Sequence, residues 1–197
     1  MDTEVISAKQ ILVIGALSSC MLLILTAVTF LNNKSEMRLC NEQSKITIIL
    51  RNTKNEHVLI SNASVKNILD CLGRELPFYK RSIEYVSIED ASKREEIAKR
   101  YHILETTLPA SFGELSIEKS STNIFRFTHE RESDIVFTTI PSSPFRAVQY
   151  IQGEFETVYM PQNSSNSQGL LDKLIANTGS KLRTLKNGEL YVHRISL

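Results

Sequence analysis

The spacing of apolar and polar positions changes several times along the chain. Ile11 to Leu31 ("ILVIGALSSCMLLILTAVTFL") contains no charged residue. As an α-helix it would be about 31 Å long, close to the thickness of a bilayer's hydrocarbon core. The pattern therefore predicts a transmembrane anchor at 11–31, after an N-terminal flank at 1–10 and before a polar juxtamembrane linker at 32–44. The stretch "KITIILR" (Lys45–Arg51) is β-branched and apolar on both faces, as in a strand inside a parallel or mixed sheet. A polar loop follows. Val65, Ile68, Leu69, Leu72 and Leu76 then fall on one helical stripe, predicting a helix that begins near Ser61 or Asn62 and is stopped by Pro77.

"IEYVSIE" (Ile83–Glu89) reads as the next strand, and "EDASKREEIAKRYHI" as a helix with Ala91, Ile97, Ala98 and Tyr101 turned inward. Strand and helix in this order predict a right-handed crossover with parallel pairing. "TLPASF" turns the chain through Pro109. Beyond it the segments shorten: "GELSIEK", "NIFRFT" and "DIVFTT" predict a meander or hairpins, the last two joined by the charged "THERESD" (Thr128–Asp134). "PSSP" at Pro141–Pro144 reads as a joint. "FRAVQYI" then predicts a buried strand, Leu170, Leu171, Leu174 and Ile175 a short helix, and "KLRTL" and "ELYVHRI" strands about the turn "KNG".

Two other patterns compete for the leading apolar run. A cleaved signal peptide has a basic start and a shorter apolar core, whereas "MDTEVISAK" carries two acids and one lysine. "LSSC" at 17–20 matches a lipoprotein processing site, yet Cys20 is followed by ten further residues without a charge. Lys34, Arg38 and Lys45 on one flank against Lys9 on the other favour a cytoplasmic C-terminal part by positive-inside counting.

Composition narrows the chemistry. Twenty-three basic residues balance 22 acidic ones for a net charge of +1, which leaves no basic footprint for nucleic acid. His57, His102, His129 and His193 have no second histidine at helical ligand spacing. Nucleophile elbows and phosphate-cradling glycine loops are absent from the sequence. These patterns lead to the expectation of a non-enzyme without metal or cofactor. Cys40 and Cys71 either pair in an oxidising compartment or are separate thiols, with Cys71 on a helix face. Asn62-Ala63-Ser64 and Asn163-Ser164-Ser165 are glycosylation sequons, and Asn62 also sits where a helix cap is wanted.

The βα succession ending at Pro109 resembles a thioredoxin-type domain without its Cys-x-x-Cys. More broadly, "KITIILR", "IEYVSIED", "REEIAKRYHI" and "FRAVQYIQGEFE" resemble the front portion of the gliding-motility-type auxiliary subunits of ABC transporters. Ile83–Asp90 matches that family's "VEYVDPD" strand and Tyr101-His102-Ile103 its "YGI". Gly153 and Glu154 align with the opening of its second domain, where the family's histidine is missing. The fold so implied is α/β: a transmembrane helix, a thioredoxin-like domain at 45–140 and an abbreviated second α/β unit at 141–197. The implied protein is a non-catalytic, single-pass, membrane-anchored accessory subunit, its bulk extracytoplasmic, partnered by an ABC permease. Its expected interaction loops hold Thr107, Leu108, Pro109, His129 and Arg131. The alternatives are a thiol-redox enzyme using Cys40 and Cys71, or an inner-membrane regulatory or assembly factor.

Overall fold

The structure, a computed structural model, describes residues 19–21, 35–130, 132–151, 157–162 and 168–195. Two compact units divide the chain, residues 1–34 and 35–197. In the first, Ser19–Met21 are helical and Cys20 is an exposed free thiol.

In the second unit, β1 (Glu36–Glu42), β2 (Lys45–Arg51) and β3 (His57–Ser61) form an antiparallel meander. Helix α1 (Val65–Glu75) crosses to β4 (Ser82–Ser87), and α2 (Ala91–Ala98) crosses to β5 (His102–Glu105), both strands parallel to β3. The chain then repeats the plan. β6 (Ser111–Phe112), β7 (Leu115–Ser121), β8 (Ile124–His129) and β9 (Glu132–Phe137) are antiparallel. Helix α3 (Pro144–Val148) leads to β10 (Thr157–Pro161) and α4 (Gln168–Ala176) to β11 (Lys181–Leu185), in parallel with β9. Finally β12 (Leu190–Arg194) leaves the second sheet and pairs antiparallel with β1. The result is two six-stranded sheets, β12-β1-β2-β3-β4-β5 and β11-β10-β9-β8-β7-β6.

Three apolar clusters set the layering. Ile46, Ile48 and Leu50 of β2 meet Phe125 and Phe127 of β8 and Val136 of β9, so the sheets stack face to face. On the outer face of the first sheet, Ile49, Leu59 and Val86 pack on Ile68, Cys71 and Leu72 of α1 and Ile97 of α2. Ile135, Val158 and Met160 pack on Ala147 of α3 and on Leu171 and Ile175 of α4 outside the second. The layers therefore run helices, sheet, sheet, helices. Apolarity on both faces of β2 follows from its burial on both faces, each such side chain contributing about 1.5–3 kcal/mol.

Several expectations need correction. A thioredoxin-like domain with an abbreviated second unit does not describe this fold: residues 141–197 supply β10 and β11 to one sheet and β12 to the other. The strands that change the picture are β1 and β3. β1 looks polar because Glu36, Arg38, Asn41 and Glu42 lie on it, yet Glu36 is buried, with Arg38 at 2.8 Å and Arg51 at 3.3 Å. β3 is only five residues and opens on a buried histidine. "FRAVQYI" is a short helix and turn, not a strand. Ser64, not Asn62, caps α1, accepting from the Asn67 N–H, while Ala91 and Ala98 are exposed.

The membrane placement is corrected too. Among the described residues no helix is long and apolar enough to cross a membrane. The longest of those in the second unit, α1, has 11 residues, about 16 Å, and a polar face. The run at 11–31 lies outside the described residues except for Ser19–Met21. The transmembrane, single-pass anchor with an extracytoplasmic bulk, expected from the sequence, therefore has no spanning helix among the described residues.

Candidate functional site at the amino ends of the parallel strands

β3 and β9 run in the same sense, since the segments after both meet: the Asn62 side chain donates to the Thr122 carbonyl at 3.1 Å and to Asn123, whose carbonyl accepts from the Thr138 N–H at 2.8 Å. Titratable groups gather at the opposite end, where the parallel strands begin.

There Asp134 on β9 and Tyr159 on β10 point between the sheets toward His193 on β12. His193 Nε2 lies 3.6 Å from Asp134 Oδ2, and its Nδ1 lies 3.3 Å from the Tyr159 hydroxyl. Burial pushes the Asp134 carboxyl up to about 6, with His193 pulling it down and Glu132 adding to the rise. Burial also drives the Tyr159 hydroxyl far above its ordinary range, Asp134 contributing next. Tyr191 tilts against Tyr159 at 5.5 Å, and the Arg183 guanidinium covers the Tyr191 ring at 3.7 Å.

A carboxylate, an imidazole and a hydroxyl in a row can relay a proton; here the hydroxyl end is closed, while Asp134 and His193 keep 16% and 28% of their side chains exposed. Tyr159 is 1% exposed, and the crevice that Asp134 and His193 share with His129 and Glu132 encloses only about 20 Å³, room for a water. The row also latches the two sheets together, His193 on one meeting Asp134 and Tyr159 on the other.

At the same end, beyond α1, Pro77 leads into Phe78 and Tyr79, edge to face at 5.4 Å and 87% and 71% exposed. Beneath this loop lies a cavity of about 90 Å³ lined by Arg38, Arg51, His57, Glu75, Leu76 and Pro77 among others. Its charges are matched: Arg38 bridges Glu36 and Glu75 at 2.8 Å each, and Lys80 meets Glu84 at 3.1 Å. His57 is 3% exposed, its Nδ1 has no hydrogen-bond partner, and burial reinforced by Lys80, Arg51 and Arg38 lowers its pKa to about 4.

The expected site residues are scattered by this fold. Cys40 on β1 and Cys71 on α1 are joined, with Cα atoms 6.1 Å apart, and both are fully buried. Thr107 is exposed and Leu108 packs against the inter-sheet core, next to a trans Pro109. That loop follows β5, so it lies at the other end from His129, whose Nε2 is 3.6 Å from Glu114. Arg131 and the Asn163 sequon fall outside the described residues. His102 opens β5 and is exposed. The sequence did carry one signal for the latch: in "LYVHR" Tyr191 and His193 share a strand face, while Leu190 and Val192 are exposed on the other. Asp134 and Tyr159 lie on other strands, so nothing in the spacing joined them to it. Among the described residues no group of three or more His, Cys, Asp or Glu is placed to hold a metal ion.

No family model and no curated protein matches the chain. Among solved structures it is similar to the crystal structure of the metallo-beta-lactamase fold protein YhfI from Bacillus subtilis. The TM-score is 0.46 and the identity 9%, over 81% of this chain and 100% of that one. A likeness of this degree assigns neither fold nor activity.

Proposed function

We propose that this protein is a non-catalytic accessory component that docks on a partner protein through the loop carrying Phe78 and Tyr79. The exposure of that aromatic pair is the observation behind the reading. Two large rings held against each other in water gain little for the folded chain, and aromatic side chains are enriched at interface centres. The ion pairs beneath the loop's base, with Arg38 on both Glu36 and Glu75, brace it from below. The resemblance to transporter auxiliary subunits makes a component of an ABC transporter the partner to test.

Installing a photo-crosslinking residue at position 78 in cells tests this. A defined adduct that contains a transporter component, and that weakens at least about tenfold (1.4 kcal/mol) when Tyr79→Ala is added, is the expected result. A probe at exposed Ser116 serves as the control. No adduct at 78, or the same adducts from both positions, overturns the reading. Phe78→Ala/Tyr79→Ala should leave stability within about 0.5 kcal/mol, as for exposed sites generally.

A further inference from the structure

The end of the sandwich where the parallel strands finish holds a different kind of site. After β9 the segment Thr138–Ser143 runs over the sheet edge before α3 begins, and with β8 and the turn before it encloses a cleft of about 280 Å³. Crevices outside the carboxyl ends of parallel strands are where open α/β sheets take ligands, because loops there are free of the ladder and can be shaped. The volume is just under the range of about 300–1,000 Å³ usual for small-molecule pockets.

The lining sets the ligand class. Ser121, Thr139, Ser142 and Ser143 bring hydroxyls and Asn123 an amide, while the Tyr150 and Phe137 rings and the Ile140 side chain supply apolar wall. The Ser143 hydroxyl makes no capping bond to α3, so the helix start does not consume it. Among the described residues, none that lines the cleft is charged. An ion entering would lose hydration with no counter-charge to replace it, which disfavours anions and cations alike. The floor is rigid: Asn123 is held by Asn62 and by both the N–H and hydroxyl of Thr138.

Hydroxyl and amide donors beside an aromatic wall, without charge and in a space of this size, match a sugar. Sugars present alternating hydroxyls on their rim and an apolar C–H face that packs on rings. We propose that the cleft bounded by Ser121, Asn123, Thr139, Ser142, Ser143 and Tyr150 binds one neutral monosaccharide unit. This stands apart from the docking reading, since the cleft and the Phe78–Tyr79 loop occupy opposite ends of the sandwich.

The test is a titration of the full chain with N-acetylglucosamine and with glucose, followed by amide NMR shifts. Expected are saturable shifts at residues 121–123 and 139–143 in the millimolar range, and at least tenfold weaker binding of glucose 6-phosphate. Ser142→Phe, which fills the cleft from an exposed position, should abolish the shifts with an unchanged unfolding midpoint. Thr139→Val should weaken binding severalfold with the shape kept. Shifts that stay linear to tens of millimolar overturn the proposal. So do shifts that survive Ser142→Phe, or phosphorylated sugar binding as well as neutral. If Ser142→Phe fails to fold, the comparison of neutral with phosphorylated sugar on the unaltered chain decides.

Discussion

Asp134 and His57 sit at the same end of the sandwich, and burial acts on them with opposite sign. Asp134 is raised from 3.8 to about 6, so its contribution to stability is complete below 3.8 and is lost as pH rises through about 6. His57 is lowered from 6.5 to about 4, so its contribution is complete above 6.5 and is lost as pH falls through about 4. Each displacement corresponds to up to about 3 kcal/mol. Between pH 4 and 6.5 the two nearly cancel. Asp134→Asn should therefore expose a fall in stability on acidification across that window, and His57→Gln a rise, each by up to about 3 kcal/mol. Denaturant melts of the three proteins across the window check this; three parallel profiles would sink it. Neither residue was legible as special. His57 stands in a polar stretch whose burial depends on β3, and Asp134 in a run of charges that reads as an exposed turn. Both are placed by strands from distant parts of the chain, information no local window contains.

At the scale of elements, α1 shows how much a good pattern can convey. Its stripe of Ile68, Leu72 and Leu76 is buried as the spacing predicts, because 3.6-residue periodicity needs only one partner surface. That partner includes β1, whose polarity concealed it: Arg38 reaches Glu75, Arg74 reaches Glu42 at 2.9 Å, and Cys40 joins Cys71. A disulfide closing 31 residues stabilises mainly by limiting the unfolded chain, so Cys40→Ala/Cys71→Ala should cost about 2–4 kcal/mol in chemical denaturation. Both sulfurs are buried, so thiol labelling of the reduced wild type should wait for denaturant, with Cys20 alone reacting in the native protein. Rapid native labelling of three thiols would contradict that placement.

For the whole molecule, the sequence conveyed alternation of strands and helices but not two matched sheets. β11 and β12 look like a hairpin about "KNG", and the eye pairs them. Instead they part, each satisfying a different sheet, with Asn41 donating to the Leu185 carbonyl at 2.6 Å across the gap. Hairpin and crossover read alike locally; only the competition for β1 distinguishes them. β12 covers that strand over five residue pairs, from Glu36↔Arg194 to Cys40↔Leu190. A variant ending at Leu185 leaves β1 as a long open edge, a template for association. It should sediment as oligomers and lose its cooperative unfolding transition. A monomer with an unchanged midpoint would show that β12 is dispensable.

The return of β12 also has a consequence in time. Local pairings such as β7 with β8 can close within microseconds, whereas β1 has to wait for β12, made about 150 residues later. On a ribosome emitting roughly 5–20 residues per second, the first sheet stays incomplete for several seconds, with its leading strand unpaired on one side. The Cys40–Cys71 link needs only the first half of the chain, so it can pin α1 across β1 during that interval and narrow the ways in which the waiting edge can go astray.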